Sequence, residues 1–243
     1  LDPKTNTLIR EGVPSIINHD DKAGLETALQ IREQVGGTVS VVCMGPPQAD
    51  VALREALAMG ADEAYLLSAR EFGGSDTYAT ATIIATALRK IGFDLVITGR
   101  QAIDGDTAQV GPQIAEHLNI PNVSYAEDIQ VEGDTVTVKR QYEDRYHTVK
   151  VKMPCLITAL SELNQPRYMT PGGIFDAYRE KTVTVWTVND IEVDMDKIGL
   201  KGSPTRVFQS FPKSLKAAGT VVTLDGEEAA DYMLEKLREK FII

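Results

Sequence analysis

Residues 93–118, FDLVITGRQAIDGDTAQVGPQIAEHL, decide the fold of this chain. The apolar run Leu95, Val96, Ile97 reads as a buried strand. A turn with glycines near both ends, Gly99 to Asp106, follows it. From Thr107 to Leu118, the spacing of Val110, Ile114, Ala115 and Leu118 predicts a helix with one apolar face. A strand that stops in such a loop and restarts as a helix aims backbone N–H groups at one point. The helix dipole adds partial positive charge there, and phosphates bind at such points. The same pattern also fits an ordinary strand-to-helix connection, since open α/β sheets hold several such turns and usually one ligand site.

Upstream, a helix is predicted from about Asp21 to Val35, with Leu25, Leu29 and Ile31 apolar and Gly36–Gly37 ending it. Asn18 or Asp20 would cap it. Residues Asn18 to Asp21 are thus either a cap or a second loop facing a ligand. Thr38–Met44 reads as a central strand, Ala49–Met59 as a helix and Ala64–Leu67 as a short strand. A further helix opens at the Gly73-Gly74-Ser75-Asp76 turn and runs to about Lys90. This alternation predicts a parallel sheet with helices on both faces and ligands beyond the carboxyl ends of the strands. The chain opens on a polar turn leading to Leu8–Ile9 rather than on an apolar strand, so a natural first strand is expected to be missing.

Downstream of Leu118 the period changes to two. Ile129–Val131, Thr135–Arg140, Tyr146–Lys152 and Cys155–Leu160 read as antiparallel strands, with a hairpin turn at Gly133-Asp134. These extend the sheet. After Leu160, SELNQPRYMTPGGIFDAYREK reads as an apolar loop covered either by a partner or by the chain's own core. Val183–Trp186 is a short strand, Asp190–Pro212 is irregular, and Glu227–Phe241 is an amphipathic helix. The expected division is an α/β domain over 1–185 and an arm with its helix over 186–243, packing on a neighbouring subunit.

The chain has 243 residues, 43% hydrophobic and 25% charged, with a formal net charge of -10, which argues against a nucleic-acid surface. No apolar run reaches the length of about 18 residues that suggests a membrane span, and no basic-then-apolar segment is seen that would suggest secretion. Cys43 and Cys155 sit in apolar runs and are expected to be reduced core residues of a cytoplasmic protein. His19, His117 and His147 are far apart, so no metal site is expected.

There is no GxxxxGK[ST], GxGxxG or GxSxG. Carboxylates at Asp104 and Asp106 would repel a phosphate. If one binds here, backbone N–H groups from Asp104 to Ala108 and the Thr107 hydroxyl should carry it, with both aspartates turned away. Gly105 lets the backbone come close. Gln109 either reaches a ring or ribose, or faces solvent. The residues alone support an α/β nucleotide-binding protein with a partner-binding loop and arm, and no particular reaction.

GRQAIDGDTAQVGPQIAEHL, with LNQPRY and the proline–glycine loop after it, resembles the beta subunits of electron transfer flavoproteins. DPKTNTLIREGVPSIIN, VVCMGPPQ, LREALAMGADEAYLLS, GGSDTYATA and GLKGSPTRV extend the likeness over essentially the whole chain, in the same order and spacing. The family usually starts with an apolar strand, in line with the missing strand expected here. The wording DGDTAQVGP is similar to that of the electron-bifurcating group.

The resemblance implies a Rossmann-like, adenine-nucleotide α-hydrolase-like fold and a heterodimer with an alpha subunit. It also implies FAD in this chain, where ordinary members hold AMP. By it, Asn18, His19, Asp20 and Asp21 match the loop near ribose and adenine, and Met44 matches a strand-end contact. Gly99 with Ala102, Ile103, Asp104, Gly105, Asp106, Thr107, Ala108, Gln109, Val110 and Gly111 matches the nucleotide loop. In bifurcating members this flavin takes two electrons from NADH. One goes to ferredoxin and one, through the alpha-subunit FAD, to a partner flavin dehydrogenase.

The resemblance places Leu163, Asn164, Pro166, Arg167, Tyr168, Pro171, Ile174 and Phe175 in the partner-binding loop. Members serving acyl-CoA dehydrogenases carry Leu or Ile-Arg there, then a cluster of Lys and Arg. This chain has Pro171-Gly172-Gly173, then Asp176 and Tyr178, and keeps only Arg179 and Lys181. Such a charge change alters partner choice. The partner expected is a lactate-type 2-hydroxyacid dehydrogenase, with an acyl-CoA dehydrogenase as the other candidate. Two further readings stay open: a non-bifurcating beta subunit with structural AMP, and an ATP-binding regulatory module of universal-stress type.

Overall fold

The computed structural model describes residues 12, 15–208 and 219–243. The opening turn at Leu8–Ile9, and the strand expected before it, lie outside these residues. The chain forms two compact units, divided between Arg206 and Val207.

The first unit opens with the expected alternation: α1 His19–Val35, β1 Ser40–Met44, α2 Asp50–Met59, β2 Glu63–Leu67, α3 Thr77–Ile91, β3 Leu95–Gly99 and α4 Val110–Leu118. It continues with β4 Asn122–Glu132, β5 Thr135–Tyr142, β6 Arg145–Lys152, β7 Cys155–Ala159, α5 Pro171–Arg179, β8 Val183–Trp186 and the short α6 Gly199–Gly202. The second unit carries α7, Gly226–Glu239, with Asp225 capping it through a bond from Glu228 N–H.

Strands β1, β2 and β8 form a parallel sheet with β2 in the middle. The other sheet has the order β3-β7-β4-β5-β6. Its β3, β7 and β4 run parallel, and β4, β5 and β6 are antiparallel. The protein is therefore α/β, a Rossmann-like parallel arrangement extended by antiparallel strands. One expectation is corrected. Strand β7 is not antiparallel; it returns between β3 and β4 as a parallel strand. All five of its residues are buried. A strand covered on both faces reads as a continuous apolar run, which is the parallel-sheet pattern, not the alternation of its neighbours.

Helix α3 packs on both sheets. Ala81 and Ala85 meet Val96, Ile114 and Leu156, while Ile83 and Ala87 meet Leu67 and Phe72. Its small side chains permit that double contact. Ile191 and Ile198 are buried in the second of these clusters, so the first unit extends past the boundary expected at 185. No helix among the described residues is long and apolar enough to cross a membrane.

Two helix readings change. The segment expected as an apolar loop contains α5. Thr170 caps it by accepting from Gly173 N–H at 3.0 Å, and Pro171 takes the first turn, where its missing N–H costs nothing. Gly173 is needed because a Cβ there would stand 2.4 Å from the Ala58 carbonyl oxygen of α2. Helix α4 starts at Val110 rather than Thr107, because Asp106 and Ala108 take left-handed φ values of 55° and 52°. A right-handed helix cannot include them.

Candidate functional site

Strand β3 ends at Gly99, and the first turn of α1 shapes the loop beyond it. Asp21 Oδ1 accepts from Gly99 N–H at 2.6 Å. Asn18 Nδ2 donates to the Gln101 carbonyl at 2.6 Å and to Asp21 Oδ2 at 3.1 Å. Asn18 holds the N-cap position of α1, yet its side chain makes no cap bond; it reaches the β3 loop instead. Asp20 is 7% exposed. Its Oδ1 accepts from Ser161 N–H at 3.0 Å, and its Oδ2 lies 3.5 Å from Arg100 Nε. A Cβ on Gly99 would stand 2.8 Å from Asp21 N and 2.9 Å from Asp20 Cβ and Asp21 Cγ. Only glycine lets α1 come this close. Much of residue Asp21 is open to solvent, but its carboxylate lies against Gly99. Desolvation raises its pKa, and the bonds from Gly99 and Asn18 work against that rise.

Residues 102–107 are exposed. Asp106 N–H donates to the Ala102 carbonyl at 3.0 Å, and the Asp106 carboxylate accepts from Gln101 Nε2. Side chain and amide of Asp106 are both turned into the loop, so its N–H is not among the donors available to a phosphate, contrary to expectation. Left-handed Ala108 is followed by right-handed Gln109. Such a pair points successive N–H groups to one side, the concave arrangement that binds anions. Holding Asp106 and Ala108 at positive φ costs on the order of 1 kcal/mol each, a cost that clusters at functional sites.

Helix α4 begins without a side-chain cap, leaving its first-turn donors uncapped. Gly111 brings that turn onto β3 and β7: a Cβ would stand 2.7 Å from Thr98 Oγ1 and 3.0 Å from Thr158 Cγ2. Thr98 Oγ1 is buried without a hydrogen-bond partner. Uncapped donors, converging amides and an orphaned hydroxyl fit the phosphate of a nucleotide. At the loop's end, Gln109 Oε1 accepts from Thr77 Oγ1 of α3 at 3.1 Å. His19 is exposed at the start of α1. Met44 ends β1 and packs beside Leu67 and Phe72. Among the described residues, no group of three or more His, Cys, Asp and Glu is placed to hold a metal ion.

The residues expected to meet a partner separate into two sets. Asn164 and Arg167 turn inward onto α1. Asn164 Nδ2 donates to the Ala23 carbonyl at 2.9 Å and to Thr27 Oγ1 at 2.8 Å. Arg167 grips Glu26 through Nε at 2.8 Å and Nη2 at 3.0 Å, and Glu33 through Nη1 at 2.6 Å. Leu163 and Pro166 are half-buried, and Pro171 is exposed. Tyr168, Ile174 and Phe175 face out, Tyr168 at 96% exposure. Beside them Val51, Arg54, Glu55, Ala58, Met169, Ile174 and Tyr178 line a groove between α2 and α5.

Burial works to raise the Glu26 pKa, but its bonds from Arg167 outweigh that and hold it below the ordinary value of 4.5. A carboxylate with a depressed folded-state pKa contributes fully above the unfolded value and loses its contribution as pH falls below it. Acid should therefore loosen residues 160–168 before it loosens β3. Peptide-resolved hydrogen exchange, corrected for intrinsic pH dependence, between about pH 6 and about pH 3 checks this.

Reading the sequence missed Arg100, Gln101, Thr77, Thr98, Ser161 and Glu26. Only Glu26 gave a signal: an acid one residue after Leu25 and three before Leu29, within the apolar stripe of a helix. The others act through contacts with segments distant in sequence.

The comparisons agree with the motif reading. The family model described as "Electron transfer flavoprotein domain" matches residues 5–191. The chain is 56% identical over 243 residues to "Electron transfer flavoprotein subunit beta" of Thermoanaerobacterium thermosaccharolyticum, covering 100% of this chain and 94% of that one. It is 54% identical to "Caffeyl-CoA reductase-Etf complex subunit CarD" of Acetobacterium woodii, covering 100% and 94%. Identity is 46% to "Acryloyl-CoA reductase electron transfer subunit gamma" of Anaerotignum propionicum, covering 98% and 91%. With the strand–loop–helix site, the left-handed turn and the full-length likeness in place, the chain belongs to the electron transfer flavoprotein family, among its beta subunits.

Proposed function

We propose that this chain is the beta subunit of an electron-bifurcating electron transfer flavoprotein and holds FAD, with NADH as donor and ferredoxin as one acceptor. The observation that carries the reading is the loop from Gly99 to Gly111, where uncapped and converging amides meet the orphaned Thr98 hydroxyl. Amides from Ala108 to Gly111 would hold the phosphates. Asn18 and Asp21 keep the Gly99–Gln101 turn in shape for the adenosine end. FAD, when bound, supplies the electron-transfer chemistry, and the protein binds and orients it.

Tyr168, Ile174 and Phe175 form the outward surface for a partner flavin dehydrogenase. The acidic Asp176 weighs toward a lactate-type partner. Two relatives, however, are named as subunits of CoA-thioester reductase complexes. That weighs more, so an acyl-CoA-linked flavin dehydrogenase is the partner proposed. The arm and α7, with Met233, Leu234 and Leu237 exposed along one stripe, embrace the alpha subunit.

Co-purifying the heterodimer, releasing its nucleotides and counting them tests the cofactor. Two FAD per dimer is the expected result. One FAD with one AMP makes the protein a simple carrier, and no nucleotide in this chain overturns the site. Pull-downs with each dehydrogenase class test the partner; capture of only the lactate-type enzyme would reverse that assignment.

A further inference from the structure

We propose that Asp20 is a positioning residue that makes the order of the partner loop depend on nucleotide occupancy. The inference rests on the nucleotide site proposed for the Gly99–Gly111 loop. A carboxylate buried to this degree must be compensated, and the two compensating groups of Asp20 belong to different segments. One is Ser161 N–H at 3.0 Å, where the chain leaves β7 for the partner loop. The other is Arg100, the first residue after β3, whose Nε stands 3.5 Å from Asp20 Oδ2 and makes no hydrogen bond. A charge-assisted bond would be about 2.7–2.9 Å. The bond to Ser161 is therefore made, while the contact to Arg100 is slack.

Helix α1 is held at the same place on both sides. Its first turn grips Gly99 and Gln101 through Asp21 and Asn18. Its next turns grip Asn164 through Ala23 and Thr27, and Arg167 through Glu26. A ligand that immobilises the turn after β3 restrains Arg100, and with it Asp20. The entropy of ordering Ser161 to Arg167 is then already partly met, which is positive coupling without a change of shape. By linkage the coupling is reciprocal. The loaded subunit presents Tyr168 and α5 on a firm loop, and the empty subunit presents them on a loose one, so partners select loaded carriers.

The test is hydrogen exchange, read by mass spectrometry, on the heterodimer in three states: as purified, stripped of nucleotide, and refilled with saturating FAD or AMP. Nucleotide content is measured on each sample. In the wild type, amides of residues 160–168 should exchange roughly fivefold or more slowly when loaded, the low end of ordinary coupling. Asp20→Asn keeps an oxygen to accept from Ser161 N–H but loses the charge facing Arg100. It should keep the protection and lose its dependence on nucleotide, which a purely structural role would not produce. Asp20→Ala should exchange fast in both states. Equal exchange in loaded and stripped wild type, or nucleotide dependence that survives in Asp20→Asn, overturns the proposal. A wild-type heterodimer whose beta subunit takes up neither FAD nor AMP overturns the nucleotide reading itself, a result the content measurement shows separately.

Discussion

Replacing Gly99 with alanine is expected to empty the proposed nucleotide site. The added Cβ would stand 2.8 Å from Asp21 N and 2.9 Å from Asp20 Cβ and Asp21 Cγ. Asp21 N is backbone and Asp20 Cβ is a side-chain root atom, so even if the Asp21 carboxylate swung aside the clash would remain. Relief requires moving either the first turn of α1 or the end of β3. Either movement breaks the 2.6 Å bonds that join them. Overpacking of this kind costs about 1–3 kcal/mol of stability. The same displacement misaligns the loop, and nucleotide affinity should fall at least about tenfold, the factor that roughly 1.4 kcal/mol makes in Kd. Urea unfolding of the heterodimer with and without added nucleotide, together with a nucleotide count, checks both parts. Gly172→Ala, outside the nucleotide loop, is the control, because nothing lies within 4 Å of a Cβ there; it should keep its nucleotide and be no less stable than the wild type. A Gly99→Ala protein that retains its nucleotide would show that the contact with α1 does not shape the site.

The parts of this architecture that local physics specifies were legible in the sequence. Helices α1 to α4 and the strands between them follow from periodicity and from glycine stops such as Gly36 and Gly92, whose φ values of 83° and 80° suit glycine. Strand β7 was legible as a strand but not in its direction. Its partners β3 and β4 are set by tertiary packing, and the alternating segments around it suggested more of the same. Helix α5 was hidden by Pro171-Gly172-Gly173, although Thr170 before Pro171 is a helix-start signal that outweighs the glycines. In the site, the Gly99–Gly111 loop was visible because a strand, a glycine-bearing turn and a helix succeed one another. The division of labour within it was not. That Asn18 and Asp21 hold the turn after β3, and that Asn164 and Arg167 hold their own loop, depends on partners far away along the chain. The family resemblance put all four among ligand or partner contacts without showing which segment each one holds.

Glu26→Ala should be strongly destabilising although it lies away from the proposed nucleotide loop. Glu26 is 4% exposed. It accepts from Arg167 N–H at 3.0 Å, from Arg167 Nε at 2.8 Å and from Gln30 Nε2 at 2.9 Å. Alanine leaves a guanidinium and a backbone N–H without their acceptor. Breaking a buried ion pair from one side costs about 3–5 kcal/mol, and the lower end, about 3 kcal/mol, is expected because Arg167 remains partly in water and keeps Glu33. Glu26→Gln preserves shape and one acceptor oxygen, so it should lose less, on the order of 1.5 kcal/mol, the lower end for a hydrogen bond to a charged group. The change has a local signature as well. Tyr168 is exposed and comes directly after Arg167, so trypsin cleavage between them reports how firmly the loop is held. Cleavage there should be slow in the wild type, faster in Glu26→Gln and fastest in Glu26→Ala, while the unfolding midpoint falls in the same order. A Glu26→Ala protein with the wild-type midpoint and wild-type cleavage would mean that the bonds of Asn164, of Asp20 to Ser161 and of Arg167 to Glu33 suffice to anchor the loop.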